Sequence, residues 1–154
     1  MRLLACVLFL MPAVFIAAQD EKEKWQRVYT GEDSIIEIDV SRVTFASARV
    51  GRARFRIILS KPEVLKEKPA IKYKSRLETI EFRCGEKRSG VRKVPPDAVR
   101  YRLYEATLLD AKGKILKTYD WNPAEDWREV RFGSMMEKLA DPACKLIDEK
   151  RQNP

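Results

Sequence analysis

The sequence predicts an α+β fold: an antiparallel β-sheet of about six strands, with one α-helix at the C-terminal end packed on one sheet face. Three observations predict it. Apolar and polar residues alternate at period two through most of the chain. Turn signals rich in Gly, Pro and Asp separate those stretches. Helical spacing of apolar residues enters only after Gly133. The competing architecture is a small closed barrel with the helix as a plug.

Residues 1–18 (MRLLACVLFLMPAVFIAA) read as a signal peptide: Arg2, then an apolar run, then a small residue at Ala18 before the polar Gln19 and Asp20. The run is shorter than the ~20 apolar residues of a spanning helix, and no later stretch approaches that length, so no transmembrane span is expected in the mature chain. The alternative is an uncleaved N-terminal anchor. Leu3-Leu4-Ala5-Cys6 resembles a lipobox, but no apolar segment precedes Cys6. The expected location is therefore outside the inner membrane: periplasm, outer surface or medium.

Residues 19–24 (QDEKEK) form a charged, flexible lead-in, and a single domain spans 25–149, with 150–154 a polar tail. A short strand is expected at Trp25–Tyr29, a turn at Gly31-Glu32-Asp33, and a β-branched strand at Ser34–Asp39. A very short third strand is placed at Arg42–Phe45. Arg52–Ser60 alternates most strictly: Ala53, Phe55, Ile57 and Leu59 on one face, Arg52, Arg54, Arg56 and Ile58 on the other. Lys61–Ala70, with two prolines, reads as a loop.

Ile71–Cys84 is a long strand whose apolar parity changes, from Ile71, Tyr73 and Leu77 to Ile80, Phe82 and Cys84. A bulge near Glu78-Thr79 accounts for the change, because one inserted residue swaps the faces. Gly85–Pro96 is a polar loop. Val99–Leu109 changes parity in the same way, between Leu103 and Tyr104. Asp110–Gly113 turns into a strand at Lys114–Tyr119, Asp120–Asp126 is a further turn, and Trp127–Phe132 a last short strand. Ser134 and Glu137 have capping-box spacing, so a helix begins there and runs to about Ala140; Asp141-Pro142 then starts a second turn or a kink.

The chain has 154 residues, 31 Lys+Arg, 23 Asp+Glu and no histidine, a formal charge of +8. Absence of histidine excludes Ser-His-Asp and Cys-His nucleophiles, histidine-ligated zinc or haem, and a histidine pH switch. No phosphate-binding loop, dinucleotide fingerprint, nucleophile elbow or calcium loop is present. The expectation is a protein without enzymatic activity, cofactor or metal. Export removes Cys6 and leaves Cys84 and Cys144, an even pair where oxidising conditions favour a disulfide. Such a bridge ties the C-terminal helix to the end of a long strand. Two separate thiols are the alternative.

Binding chemistry concentrates in the cations. Arg52, Arg54 and Arg56 share one parity; Lys72, Lys74 and Arg76 share one on the next long strand, and Arg100 and Arg102 on another. Aligned, the eight make a surface for polyanions: acidic protein segments, acidic glycans, anionic lipid head groups or nucleic acid. The competing reading is the ordinary solvated face of an alternating strand. Arg83–Lys93 is a second basic cluster, competing with a solvated hairpin loop. Trp25, Trp121 and Trp127 can stack on sugars or pack the core, and Glu125 and Asp126 read as a solvated turn. Nucleic acid is not the expected partner, since export separates the two and no RNA-stacking signature occurs.

The assembled pattern resembles the surface-adhesin protein E family of bacterial exported proteins. The likeness is carried by Trp25, by Ile36-Glu37-Ile38-Asp39, and by Glu81-Phe82-Arg83-Cys84 with Arg88 following. The Asp110–Gly113 turn and Trp127…Gly133-Ser134-Met135-Met136-Glu137…Cys144 complete it, over nearly all of 25–146. The resemblance implies a six-stranded antiparallel sheet, a C-terminal helix tied to it by a disulfide, and attachment to host or matrix proteins. The chain departs from the family in two ways. It lacks a credible lipidation site, and it has no histidine for haem. The reading is an exported adhesin-like binding module, with a periplasmic envelope-associated structural protein as the alternative.

Overall fold

A computed structural model of the chain describes residues 22–47, 50–85, 99–121 and 126–152. The signal peptide, the loop over 86–96 and residues 122–125 of the Asp120–Asp126 turn lie outside the described residues. The strands are β1 (Trp25–Thr30), β2 (Ser34–Asp39), β3 (Thr44–Ser47), β4 (Val50–Leu65), β5 (Ile71–Arg83), β6 (Arg100–Leu109), β7 (Ile115–Asp120) and β8 (Arg128–Glu129); the helix α1 is Met135–Gln152. All pairings are antiparallel, in the order β1-β2-β4-β5-β6-β7. β3 continues the side of β4 that β2 leaves, and β8 the side of β6 that β7 leaves. The sheet is thus six strands wide and, among the described residues, β1 and β7 are unpaired with each other. The α+β expectation holds, and the closed barrel does not.

Directly opposed residues in an antiparallel pair share a face. One face therefore carries Ile36, Ile38, Ala53, Phe55, Ile57, Ile80, Phe82, Leu103 and Leu108. This face packs against α1 through Leu139, Ala140, Ala143 and Ile147. Phe55 and Phe82, both fully buried, meet edge to face at 6.1 Å. The helix lies close to the sheet at Gly51, where an added Cβ would stand 2.6 Å from Ile147 Cγ1. Cys84 and Cys144 are bonded, with Cα atoms 5.7 Å apart and a sequence separation of 60. Two separate thiols are thereby excluded.

Asp39 shows why the second strand ends in aspartate. It is fully buried and accepts from the N–H groups of Lys24 (3.1 Å) and Ser41 (3.0 Å) and from the Ser41 hydroxyl (2.6 Å). One side chain thus satisfies the entry to β1 and the exit from β2.

Four local expectations change. Residues 61–65 belong to β4, not to a loop: a register shift between Ile58 and Glu63 absorbs Pro62, and pairing resumes at Glu63↔Tyr73. The expected bulge at Glu78-Thr79 of β5 is a residue of β6 instead; Thr79 pairs with Glu105 and Ile80 with Leu103, leaving Tyr104 as the extra residue. That insertion keeps both Leu103 and Ala106 on the helix face. The last strand is only Arg128–Glu129. The helix runs unbroken through Pro142 to Gln152, into the expected polar tail. Pro142 removes the N–H that would bond the Lys138 carbonyl, and packing of Leu139, Ala143 and Ile147 outweighs that loss. The capping box forms, in altered form: Ser134 Oγ accepts from Glu137 N–H at 3.2 Å, while Glu137 Oε2 accepts from Gly133 N–H at 2.7 Å.

Candidate functional site

The opposite sheet face is built on arginine. β4 presents Arg52, Arg54 and Arg56, and β6 presents Arg100 and Arg102, with β5 between them. Register places Arg52, Glu81 and Arg102 in one cross-strand row. Glu81 is wholly buried under the two guanidinium groups: Arg52 Nε donates to it at 2.7 Å, and Arg102 Nε donates to its second oxygen. Arg54 donates to Glu23 at 2.8 Å, Arg56 to Glu37 at 2.9 and 2.5 Å, and Arg100 to Glu129 at 3.2 Å. Five cations meet four carboxylates.

Aromatic rings complete the arrangement. Arg52 lies 4.1 Å from the centroid of Tyr104, and Arg56 4.5 Å from that of Trp25. Arg83 and Arg102 both lie 4.7 Å from Trp127. Ring faces are electronegative, so each contact attracts its guanidinium and raises the cost of moving it. A guanidinium has five N–H donors, and one carboxylate uses at most two. The arginine side chains keep about a quarter to a half of their surface, with 27% for Arg54 and 48% for Arg100, except Arg102 at 17%. The face is thus a fixed array of partly open planar donors, suited to carboxylate, sulfate or phosphate groups.

Three of the eight expected cations lie elsewhere. Arg76 pairs across to Ile57 and Leu108, on the helix face, because β5 presents Ser75, Leu77, Thr79 and Glu81 to the arginines. Lys74 Nζ donates to the Ser60 carbonyl at 2.6 Å, and Lys72 stands opposite Val64 near the hairpin tip. Of the tryptophans, Trp25 and Trp127 serve as arginine platforms, and Trp121 stacks on Tyr119 at 5.5 Å on the helix face. In the second basic cluster, residues 86–93 lie outside the described residues, as does Glu125.

Sequence reasoning missed the carboxylates and Tyr104. The signal for Glu81 was present: Thr79, Glu81 and Arg83 alternate with Ile80 and Phe82, so a charged side chain shares the arginine parity. Tyr104 reaches that face only through the bulge. Among the described residues, no three or more Cys, Asp or Glu side chains gather as metal ligands, and no helix is long and apolar enough to cross a membrane. Comparisons of the chain with protein-family models, curated proteins and solved structures find no match.

Proposed function

We propose that this is an exported, non-enzymatic binding module of the adhesin-like kind, whose arginine face grips an acidic host protein, matrix protein or glycan. One observation carries the reading: Arg52, Arg54, Arg56, Arg100 and Arg102 share a sheet face, and the guanidinium groups of three of them lie within 4.7 Å of aromatic ring centroids. Held in place, they lose little side-chain freedom on binding, and planar donors match planar acids. The resemblance to the surface-adhesin protein E family points the same way. The test is binding of the oxidised protein to immobilised heparin and to an acidic peptide across a salt series. Binding weakens as salt screens the contacts, and Arg54→Gln with Arg100→Gln weakens it about tenfold. Equal binding by that variant and the parent at low salt refutes the reading.

A second reading is a periplasmic envelope-associated structural protein without adhesive activity. It is favoured by the internal pairing of all five arginines with carboxylates. Protease shaving of intact cells separates the two. Loss of the protein supports the adhesin-like module, and protection inside the envelope supports the structural one.

A further inference from the structure

The arginine face does not stay charged along its length. Arg52, Arg54 and Arg56 stand in three successive cross-strand rows, and the third already sets Leu77 opposite Arg56. The next row along β4 is Ile35, Ile58, Ser75, Leu109 and Ile115, each directly opposed to its neighbour and so on the same face. It holds no charged residue, and it is the last row before the register shift between Ile58 and Glu63. It crosses five strands, about 19 Å at the usual strand spacing. Ile35, Ile58, Leu77 and Leu109 are half-buried, and Ile115 is 62% exposed. The helix covers none of them, because it packs on the opposite face.

Single apolar side chains on a solvated face need no explanation, but a contiguous row rimmed by polar residues marks an interaction surface. Charge complementarity says what lies on it. The row continues a line of guanidinium groups that keep spare N–H donors beyond their own carboxylates. Same-face positions on β4 repeat every 6.6–6.8 Å or so, and so do alternate side chains of any extended peptide. A peptide lying along β4 with acids at three alternate positions therefore meets Arg52, Arg54 and Arg56, and its next same-face side chain lands on Ile58. A sulfated glycan supplies the anions but no apolar side chain. A phospholipid gathers its charge in one head group, whereas the three arginines extend over about 13 Å. Only the peptide uses both parts of the face.

We infer that the partner of this face is an extended acidic peptide segment with an apolar side chain at one end. Its carboxylates, at alternate positions, accept from Arg52, Arg54 and Arg56, and its apolar side chain covers Ile58 beside Ile35 and Leu77. The inference rests on the binding-module reading and narrows that module's partner to a protein segment.

The experiment is an NMR titration of the oxidised protein at low salt with two acetylated, amidated peptides and a heparin tetrasaccharide. One peptide is Glu-Ser-Glu-Ser-Glu-Ser-Leu, and the other ends in Ser instead of Leu. Each is also made in reversed order, because a segment can run either way along β4. Both sequences shift the resonances of Arg52, Arg54 and Arg56. The leucine peptide also shifts the Ile35 and Ile58 methyls and, in one of its two directions, binds about tenfold tighter than the serine peptide. Ile58→Thr keeps the β-branched shape, brings the leucine peptide down to the affinity of the serine peptide and leaves the serine peptide unchanged. If that variant fails to fold, the two peptides on the parent protein still decide. Three results overturn the inference alone: equal binding of the leucine and serine peptides, no loss of leucine-peptide affinity in Ile58→Thr, or tighter binding of the tetrasaccharide than of the leucine peptide. In each the face still binds acids, so the binding-module reading stands. No shift on the arginine face by any probe up to about 10 mM, a range that reaches weak millimolar binding, overturns both.

Discussion

Replacing Glu81 by Gln tests whether one carboxylate organises the arginine face. Glu81 is fully buried and receives hydrogen bonds from Arg52 and Arg102, whose side chains are 29% and 17% exposed. The substitution keeps the volume and removes the charge. Breaking a buried ion pair by removing one partner costs about 3–5 kcal/mol, chiefly because the remaining charge is stranded. Here the stranded charges retain some water and rest on Tyr104 and Trp127, so the low end applies, about 3 kcal/mol. For a domain of this size that lowers Tm by roughly 10 °C. Urea unfolding of the oxidised protein at neutral pH reads the change as a lower midpoint at constant slope. Arg52→Leu, Glu81→Leu and Arg102→Leu combined strand no charge and fall within about 1 kcal/mol of the parent. A loss below about 1 kcal/mol for Glu81→Gln alone would sink the argument that this carboxylate holds the two strands' cations together.

Three further outcomes follow from the same contacts. Cys84→Ser with Cys144→Ser, or reduction, costs about 4 kcal/mol for a loop of 60 residues, read as a Tm difference with and without reductant; an unchanged Tm contradicts it. Gly51→Ala drives a methyl into the buried Ile147 and destabilises by roughly 1–3 kcal/mol in urea melts, whereas a neutral result means the helix stands further off. Glu78→Gln carries a pH signature. Burial raises the Glu78 pKa in the folded state, so the charged form opposes folding above that value. Parent stability recovers as pH falls through the raised pKa, and the recovery is complete below the unfolded value of about 4.3. The variant's stability relative to the parent therefore rises between about pH 4 and pH 7. An advantage constant across that window contradicts the assignment.

The period-two signal made the sheet legible, because a strand with one buried face must alternate. Ser34–Asp39 is found at its expected bounds, and β5 and β6 lie within one residue of theirs. The helix start was legible because Ser134 and Glu137 mark a local hydrogen-bonding need. Strand neighbours were not legible, and that is where the candidate site changed. Whether Lys72, Lys74 and Arg76 join the arginines depends on which parity of β5 faces β4, a nonlocal choice. Ile80 and Phe82 decide it by filling the core beside Ala53 and Gly51, and Arg76 follows them to the helix face. The bulge misled for a related reason. The parity change within β5 falls at the register shift against β4, beyond which Tyr73 and Ile71 pack into the core, while Leu77 lies on the arginine face and the inserted residue belongs to β6. Pro62 suggested a loop, yet a strand tolerates proline at a register shift, where no ladder N–H is needed.

The pairing of five arginines with four carboxylates also constrains how the proposed binding would work. Each of the five arginines already donates to a carboxylate, which offsets its charge locally, so a long-range field contributes less there than near contact does. Contact geometry then carries the selectivity. Successive same-face arginines on β4 stand two residues apart, about 6.6–6.8 Å, and the β4 and β6 rows are two strand spacings apart, about 9.5 Å. A chain of acidic groups repeating near the first spacing can lie along Arg52, Arg54 and Arg56, while one carboxylate or sulfate alone finds each guanidinium already partnered. Affinity should therefore rise with the length of an acidic ligand far more steeply than with its charge density. A partner matched to this face is an extended one, an acidic glycan or peptide strand, rather than a small anion.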